Sequence, residues 1–248
     1  MSSFYESPDS PDSFFLLLCF IMGQSLNIKF VLWDVDGVFV DTEKLHFEAW
    51  NKMLSQFGKN LGLAEYIPLV GRDGKENAET IHVLKGISCD KEQFRADRRT
   101  IYKRLREKDI PLIKENIELV KSFVSEFPRI RHAVVSSEQK IQIGENLRAA
   151  EIDNLFELIV SYENHPDLKR KPAPDMYLYA LKKLGANPEE CLVFEDSASG
   201  VAAATSAKIK CVALPNEFTK NHNFSAAAFI IFPGEKRAPA QILKKLGF

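Results

Sequence analysis

Cysteine is sparse in this 248-residue chain, and its four copies, Cys19, Cys89, Cys191 and Cys211, form no CxxC pair. Such spacing gives little support to a structural zinc site or a disulfide framework and fits reduced thiols in a cytoplasmic protein. Charge of one sign is missing as well: 33 basic and 34 acidic residues leave a formal net charge of -1. A general polyanion binder neutralises phosphates with an excess of Lys and Arg, so this balance argues against nucleic acid and in favour of small-molecule chemistry. No apolar run reaches the roughly 20 residues that a membrane-spanning helix needs. Nor is there an internal repeat or a run of coiled-coil heptads.

What is present is enough apolar material, 45% of residues, for one large domain or a core domain carrying a smaller insertion. The first residues stand apart. "MSSFYESPDSPDS" is polar and rich in Pro and Ser, and "FFLLLCFI" follows it with no Lys or Arg ahead to make a signal-peptide start. Residues 1–25 are therefore expected to be a flexible extension. Met22 just after the run also fits a misassigned start, and a weak membrane-surface anchor is a third reading.

Further along, short apolar runs bounded by turn residues recur at "IKFVLW", "IRHAVVS", "LFELIVS", "ECLVFED", "IKCVAL" and "AAFIIF", with helical patterns between most of them. Strands alternating with helices imply an α/β fold with a parallel sheet covered on both faces, where ligands sit at the carboxyl ends of the strands. Between 42 and 109 the pattern is helical only. Leu45, Ala49, Trp50, Met53, Leu54 and Phe57 recur at helical spacing before Gly58, and a charged helix is expected over 91–108. The expected architecture is a Rossmann-like core, 26–41 and 111–248, with an inserted all-helical cap, 42–110.

The first strand ends in "VLWDVDGVFVDTE", which crowds Asp34, Asp36 and a third acid together. A carboxylate can attack phosphorus and become an aspartyl phosphate when a divalent cation offsets the repulsion between acid and phosphate, and oxygen ligands suit magnesium. Asp34 is read as the nucleophile and Asp36 as the general acid and base, with Gly37 allowing the sharp turn. Alone, DxDG also fits a calcium loop or an ordinary turn. Other strand ends offer the missing parts. Ser136 or Ser137 in "VVSS" could hold a phosphoryl oxygen, and Ser136 also suits the N-cap of a helix beginning near Glu138. Lys171 in "KRKPAP" supplies positive charge, with Lys169 and Arg170 as bystanders. Glu195 and Asp196 in "LVFEDSASG" are the further carboxylates a magnesium ion would want, although they equally suit a helix start.

These four motifs in this order, "DVDGVFVDTEKLHFEAW", "VVSS", "KPAPDMY" and "FEDSASGV", resemble the haloacid dehalogenase superfamily, in its small-helical-cap branch of β-phosphoglucomutase and sugar-phosphate phosphatases. The resemblance implies Asp34 as nucleophile and metal ligand, Asp36 as acid and base lending its backbone carbonyl to the metal, Ser136 and Lys171 on the phosphoryl group, and Asp196 with Glu195 completing the metal site. It disfavours halide removal, because the dehalogenases match the pattern without the second Asp. In the cap it implies substrate contacts from Thr42, His46 and Trp50, and from Gly71 in the specificity loop, with Lys75, Arg72 and Arg98 as cationic candidates and Ser137 beside the motif serine. "IPLIKEN" stands where the family has a Pro-Gly turn on return from the cap. His82, His132, His165 and His222 are read as ordinary.

The expected protein is a monomeric, cytoplasmic, magnesium-dependent phosphohydrolase of a small phosphorylated metabolite such as a sugar phosphate, with no nucleic-acid or membrane partner. A phosphomutase is the alternative within the same chemistry. A non-catalytic phosphate-binding or regulatory protein is the alternative outside it, and it would have no need of an acid and base beside a nucleophile.

Overall fold

A computed structural model describes residues 27–248 apart from 73, 164 and 166. The expectations for the extension at 1–25, including Cys19 and Met22, lie outside the described residues. All six expected strands form: β1 (Phe30–Trp33), β2 (Arg131–Ser136), β3 (Leu158–Ser161), β4 (Cys191–Glu195), β5 (Lys210–Ala213) and β6 (Phe229–Ile230). They make one parallel sheet in the order β3-β2-β1-β4-β5-β6. The chain steps outward from β1 to β3 and then returns to the other side of β1, so the order reverses at β1 and β4, where open parallel sheets bind ligands.

Alternation along the strands feeds two cores. Val31, Trp33, Leu192 and Phe194 face one side, where they meet α5 (Lys114–Glu126), α6 (Lys140–Ala149) and α9 (Pro239–Leu246). Phe30, Leu32, Cys191 and Val193 face the other, against α7 (Asp175–Leu184) and α8 (Ala198–Ser206). Trp33 stacks on Phe194 at 4.4 Å, and both are fully buried, so the strands that carry the site rest on a close-packed core.

The insertion is all-helical: α1 (Thr42–Ser55), α2 (Leu63–Tyr66), α3 (Gly74–Leu84) and α4 (Lys91–Lys108). Asp41 caps α1 by accepting from the Lys44 N–H at 3.0 Å, and Asp90 caps α4 in the same way through Gln93 at 2.9 Å. Trp50, Met53, Leu54, Tyr66, Ile81 and Phe94 form the insertion's own apolar cluster, which also takes in Phe218 from the loop after β5. The two connecting segments pair with each other. Val40 and Leu112 make an antiparallel bridge, the Asp41 N–H donates to the Pro111 carbonyl at 2.8 Å, and the Ile113 N–H donates to that of Phe39 at 2.9 Å. No helix among the described residues is long and apolar enough to cross a membrane.

Candidate active site

Asp34 leaves β1 with its N–H bonded to the Phe194 carbonyl at 3.1 Å, and the register that sets Trp33 beside Val134 and Phe194 brings Asp34 level with Val135 and Glu195. The Lys171 Nζ stands between these groups, 2.6 Å from both Asp34 Oδ1 and Glu195 Oε1, and donates to the Val135 carbonyl at 2.8 Å. Tyr177 donates its hydroxyl to Glu195 Oε1 at 2.7 Å. Glycine is required twice in this packing. A Cβ on Gly200 would lie 1.9 Å from the Glu195 carboxyl carbon, and one on Gly37, whose φ is +77°, would lie 2.0 Å from Asp196 Oδ2.

Buried acids crowd this edge, and their proton affinities respond. Burial pushes Asp34 up to about 7, against the pull of the Lys171 ammonium and with the Glu195 charge adding to the rise. Burial and the Asp34 charge likewise raise Asp196 well above the usual carboxylate range. Burial works to lower Lys171, but Asp34 and Glu195 outweigh it and hold the ammonium firmly protonated.

Asp36 is also held well above the ordinary range, by burial first and then by the Glu138 and Asp34 charges. Ser136 Oγ lies 3.4 Å from Asp36 Oδ2, and Asn146 Nδ2 lies 3.4 Å from its Oδ1. Arg106 at the end of α4 donates to Asn146 Oδ1 at 2.6 Å, which fixes the amide with its nitrogen toward Asp36. The helix after β2 starts at Lys140 behind a Gln139 cap, two residues later than the sequence suggests; Ser136 Oγ instead accepts the Glu138 N–H at 3.1 Å.

A cavity of about 660 Å³ opens over these groups, walled by the sheet edge below and the helical insertion above. Asp34, Asp36, Ser136, Ser137, Lys171, Glu195 and Asp196 line it from the core, and Thr42, His46, Trp50, Gly71, Arg72 and Arg98 line it from the insertion. Lys75 does not: it is exposed on the first turn of α3, outside the lining. His46 stacks on Tyr102 at 4.2 Å and bonds Arg98, and burial followed by the Arg98 and Arg106 charges keeps the imidazole neutral. Arg98 lies over the rings of Trp50 and Tyr102.

Sequence reasoning passed over several lining residues. Arg170, read as a bystander, faces the cavity and stacks on Tyr162 at 4.1 Å; His222, read as ordinary, lines it beside Thr219 and Asn223. Glu43 was visible as the last acid of the first motif, after Asp41, and it accepts from Tyr66 at 2.5 Å. For Tyr66 itself no local signal existed.

The donor set suits a hard divalent cation. Asp34, Glu195 and Asp196 each bring a carboxylate oxygen within 4.8 Å of the others in a buried cluster, where lysine supplies the only positive charge bonded to them among the described residues.

Known proteins resemble this chain in sequence and in fold. A sequence model described as haloacid dehalogenase-like hydrolase matches residues 31–214. A phosphorylated carbohydrates phosphatase of Thermotoga maritima is 31% identical over 184 residues, 73% of this chain and 82% of the relative. A fructose-1-phosphate phosphatase of Escherichia coli is 28% identical over 188 residues, 73% of this chain and 94% of the relative. Among solved structures, β-phosphoglucomutase of Clostridium difficile shares the fold, with a TM-score of 0.64 over 89% of this chain and 97% of that one at 23% identity.

Proposed function

The chain belongs to the haloacid dehalogenase-like hydrolases, and from that premise we propose a magnesium-dependent phosphatase of small phosphorylated carbohydrates that works through an aspartyl phosphate on Asp34. Phosphatases of phosphorylated carbohydrates among its relatives support the substrate class. The observation that carries the mechanism is the Lys171 ammonium bridging Asp34 and Glu195 at 2.6 Å each, with Asp36 lining the same cavity.

An Asp34 oxygen attacks phosphorus as the bond to the ester oxygen breaks, and protonated Asp36 gives its proton to the departing alkoxide. Asp36 then takes a proton from the water that attacks the phosphoryl group, which frees Asp34 and releases phosphate. Lys171 and the Ser136 hydroxyl hold phosphoryl oxygens through both steps. Asp34, Asp196, Glu195 and the Asp36 carbonyl would hold magnesium, which when bound supplies the charge that lets an anionic nucleophile approach an anionic ester. Thr42, His46, Trp50, Gly71, Arg98 and Ser137 are proposed to meet the carbohydrate, and cap closure to exclude bulk water.

A phosphomutase is the second reading. It is favoured by Arg98, a half-buried side chain in the cavity wall whose buried Nε has no hydrogen-bond partner in the structure. Phosphate release from a panel of sugar phosphates, measured beside isomerisation of β-glucose 1-phosphate, separates the two. We expect release that stops in Asp34→Asn and is reversibly lost in EDTA; substantial turnover by Asp34→Asn removes the nucleophile, and indifference to EDTA removes the metal.

A further inference from the structure

We propose that Asn216 is a positioning residue that sets Asp196 for the divalent cation and, through Phe218, ties that carboxylate to the seating of the cap. The proposal rests on the cation reading above. Asn216 lies in the loop after β5, in the segment "LPNEFT". Its Oδ1 accepts the N–H groups of Phe218 at 2.9 Å and Thr219 at 3.1 Å, and its own N–H donates to Thr219 Oγ1 at 3.0 Å. With the oxygen spent on this turn, the amide nitrogen faces the site. It donates to Asp196 Oδ2 at 3.0 Å and lies 3.4 Å from the Gly37 carbonyl.

The junction has no slack. A Cβ on Gly37 would meet Asp196 Oδ2 at 2.0 Å and Asn216 Nδ2 at 3.0 Å, so the turn carrying Asp36, the metal-site acid and the amide occupy one contact. Two residues on, Phe218 is 3% exposed and packs among the cap's apolar residues, edge-on to Tyr66 at 5.9 Å and against Phe47 at 6.1 Å. One short loop of the core therefore has its apolar anchor in the cap and its amide anchor on Asp196.

The chemistry follows from the carboxylate's two oxygens. Asn216 engages Oδ2, which leaves Oδ1 as the oxygen available to a cation and stops the group from rotating. Hydrogen-bond partners of metal ligands typically change metal affinity 10–100-fold when removed. If cap seating and the loop's position are linked, cation binding and cap seating favour each other by the same factor.

The test is calorimetric titration of magnesium into the full-length protein without substrate, for the wild type, Asp196→Asn, Asn216→Ser and Phe218→Ala, with thermal unfolding recorded for each. Asn216→Ser keeps an oxygen for the turn and removes the amide donor. It should bind magnesium about tenfold more weakly, with kcat restored by excess magnesium, which a folding defect would not allow. Phe218→Ala should weaken binding at least about fivefold; Phe218→Leu replaces it if the larger truncation unfolds the cap. Wild-type affinity in Asn216→Ser, alongside loss in Asp196→Asn, overturns the role of Asn216 and leaves the cation reading standing. Wild-type affinity in Asp196→Asn overturns the cation site and the proposal together. Weakening in Asn216→Ser but in neither Phe218 variant overturns the tie to the cap.

Discussion

The two walls of the cavity are built differently. At the sheet edge the ammonium and the acids it bridges are gripped by short polar bonds: Lys171 has three acceptors at 2.6–2.8 Å, and Glu195 is held by both Lys171 and Tyr177. On the cap wall the cation rests on rings. Arg98 lies 4.7 Å from the Trp50 centroid and 5.2 Å from that of Tyr102, and His46, which bonds Arg98, is itself stacked on Tyr102. Bonds of the first kind hold atoms to the tolerance that chemistry at phosphorus demands, whereas rings and long side chains fix a shape while leaving polar atoms free for a ligand. The sheet edge is accordingly expected to serve every substrate alike, and the cap wall to rank them.

The sharpest way to break this contrast is Lys171→Met. Removing the ammonium leaves Asp34 and Glu195 buried beside each other without their counter-charge, a loss that costs about 3–5 kcal/mol when one partner of a buried pair is deleted. Turnover should fall about 10²–10³-fold, as when a donor to developing charge is removed. Denaturant unfolding checks the first figure. For the second, kcat/KM on a sugar phosphate and on p-nitrophenyl phosphate should fall by the same factor; unequal losses would mean that the sheet edge also selects substrates.

Arg98→Met probes the opposite wall and should do less. A side chain that contacts the carbohydrate equally in ground and transition states changes KM and not kcat. We expect KM for the preferred sugar phosphate to rise about tenfold, equivalent to about 1.4 kcal/mol, with kcat and the aryl ester little altered. An equal fall in kcat on both esters would place Arg98 in the chemistry and erase the distinction between the walls.

The same contrast explains what could be read in advance. Asp34, Asp36, Glu195 and Asp196 were legible because each lies within a few residues of a strand's end, so adjacency in sequence becomes adjacency in space. Lys171 was found through the PAP that follows it. The cap wall offered no such rule. Lys75 and Arg98 carry similar charge, and only helix phase and packing set Arg98 into the cavity while Lys75 faces solvent. Arg170 and His222 arrive by tertiary paths that local pattern does not encode. The return segment "IPLIKEN" lacks the expected Pro-Gly turn because it is not a free turn: Val40 pairs with Leu112, so backbone bonds between the two connections replace turn chemistry. The strands were legible from their apolar runs, and the late start of α6 was not, since Ser136 can satisfy the Glu138 N–H without a helix beginning there.

The smallest effect on turnover lies beneath the sheet edge, where a change should touch stability alone. Trp33 Nε1 donates to His132 Nδ1 at 3.1 Å, and His132 is 4% exposed with Phe123 edge-on to its ring. Burial lowers this imidazole to about 4, against an ordinary value near 6.5. Protonation would charge a ring in an apolar core and replace the acceptor that Trp33 needs with a second donor. The unfolded chain binds the proton near pH 6.5 and the folded chain only near 4, so between those values the unfolded state carries more protons and stability falls as pH falls. The loss approaches the order of 3 kcal/mol at pH 4 and levels off below it, where both states are protonated. Asn at this position keeps an acceptor near the place of Nδ1 and cannot titrate. His132→Asn should therefore lose fewer degrees of unfolding temperature than the wild type between pH 6.5 and 4.5, while their kcat values at neutral pH stay equal. Parallel pH curves would show that another buried group controls acid stability, and an altered kcat would mean that the packing under β1 reaches Asp34 after all.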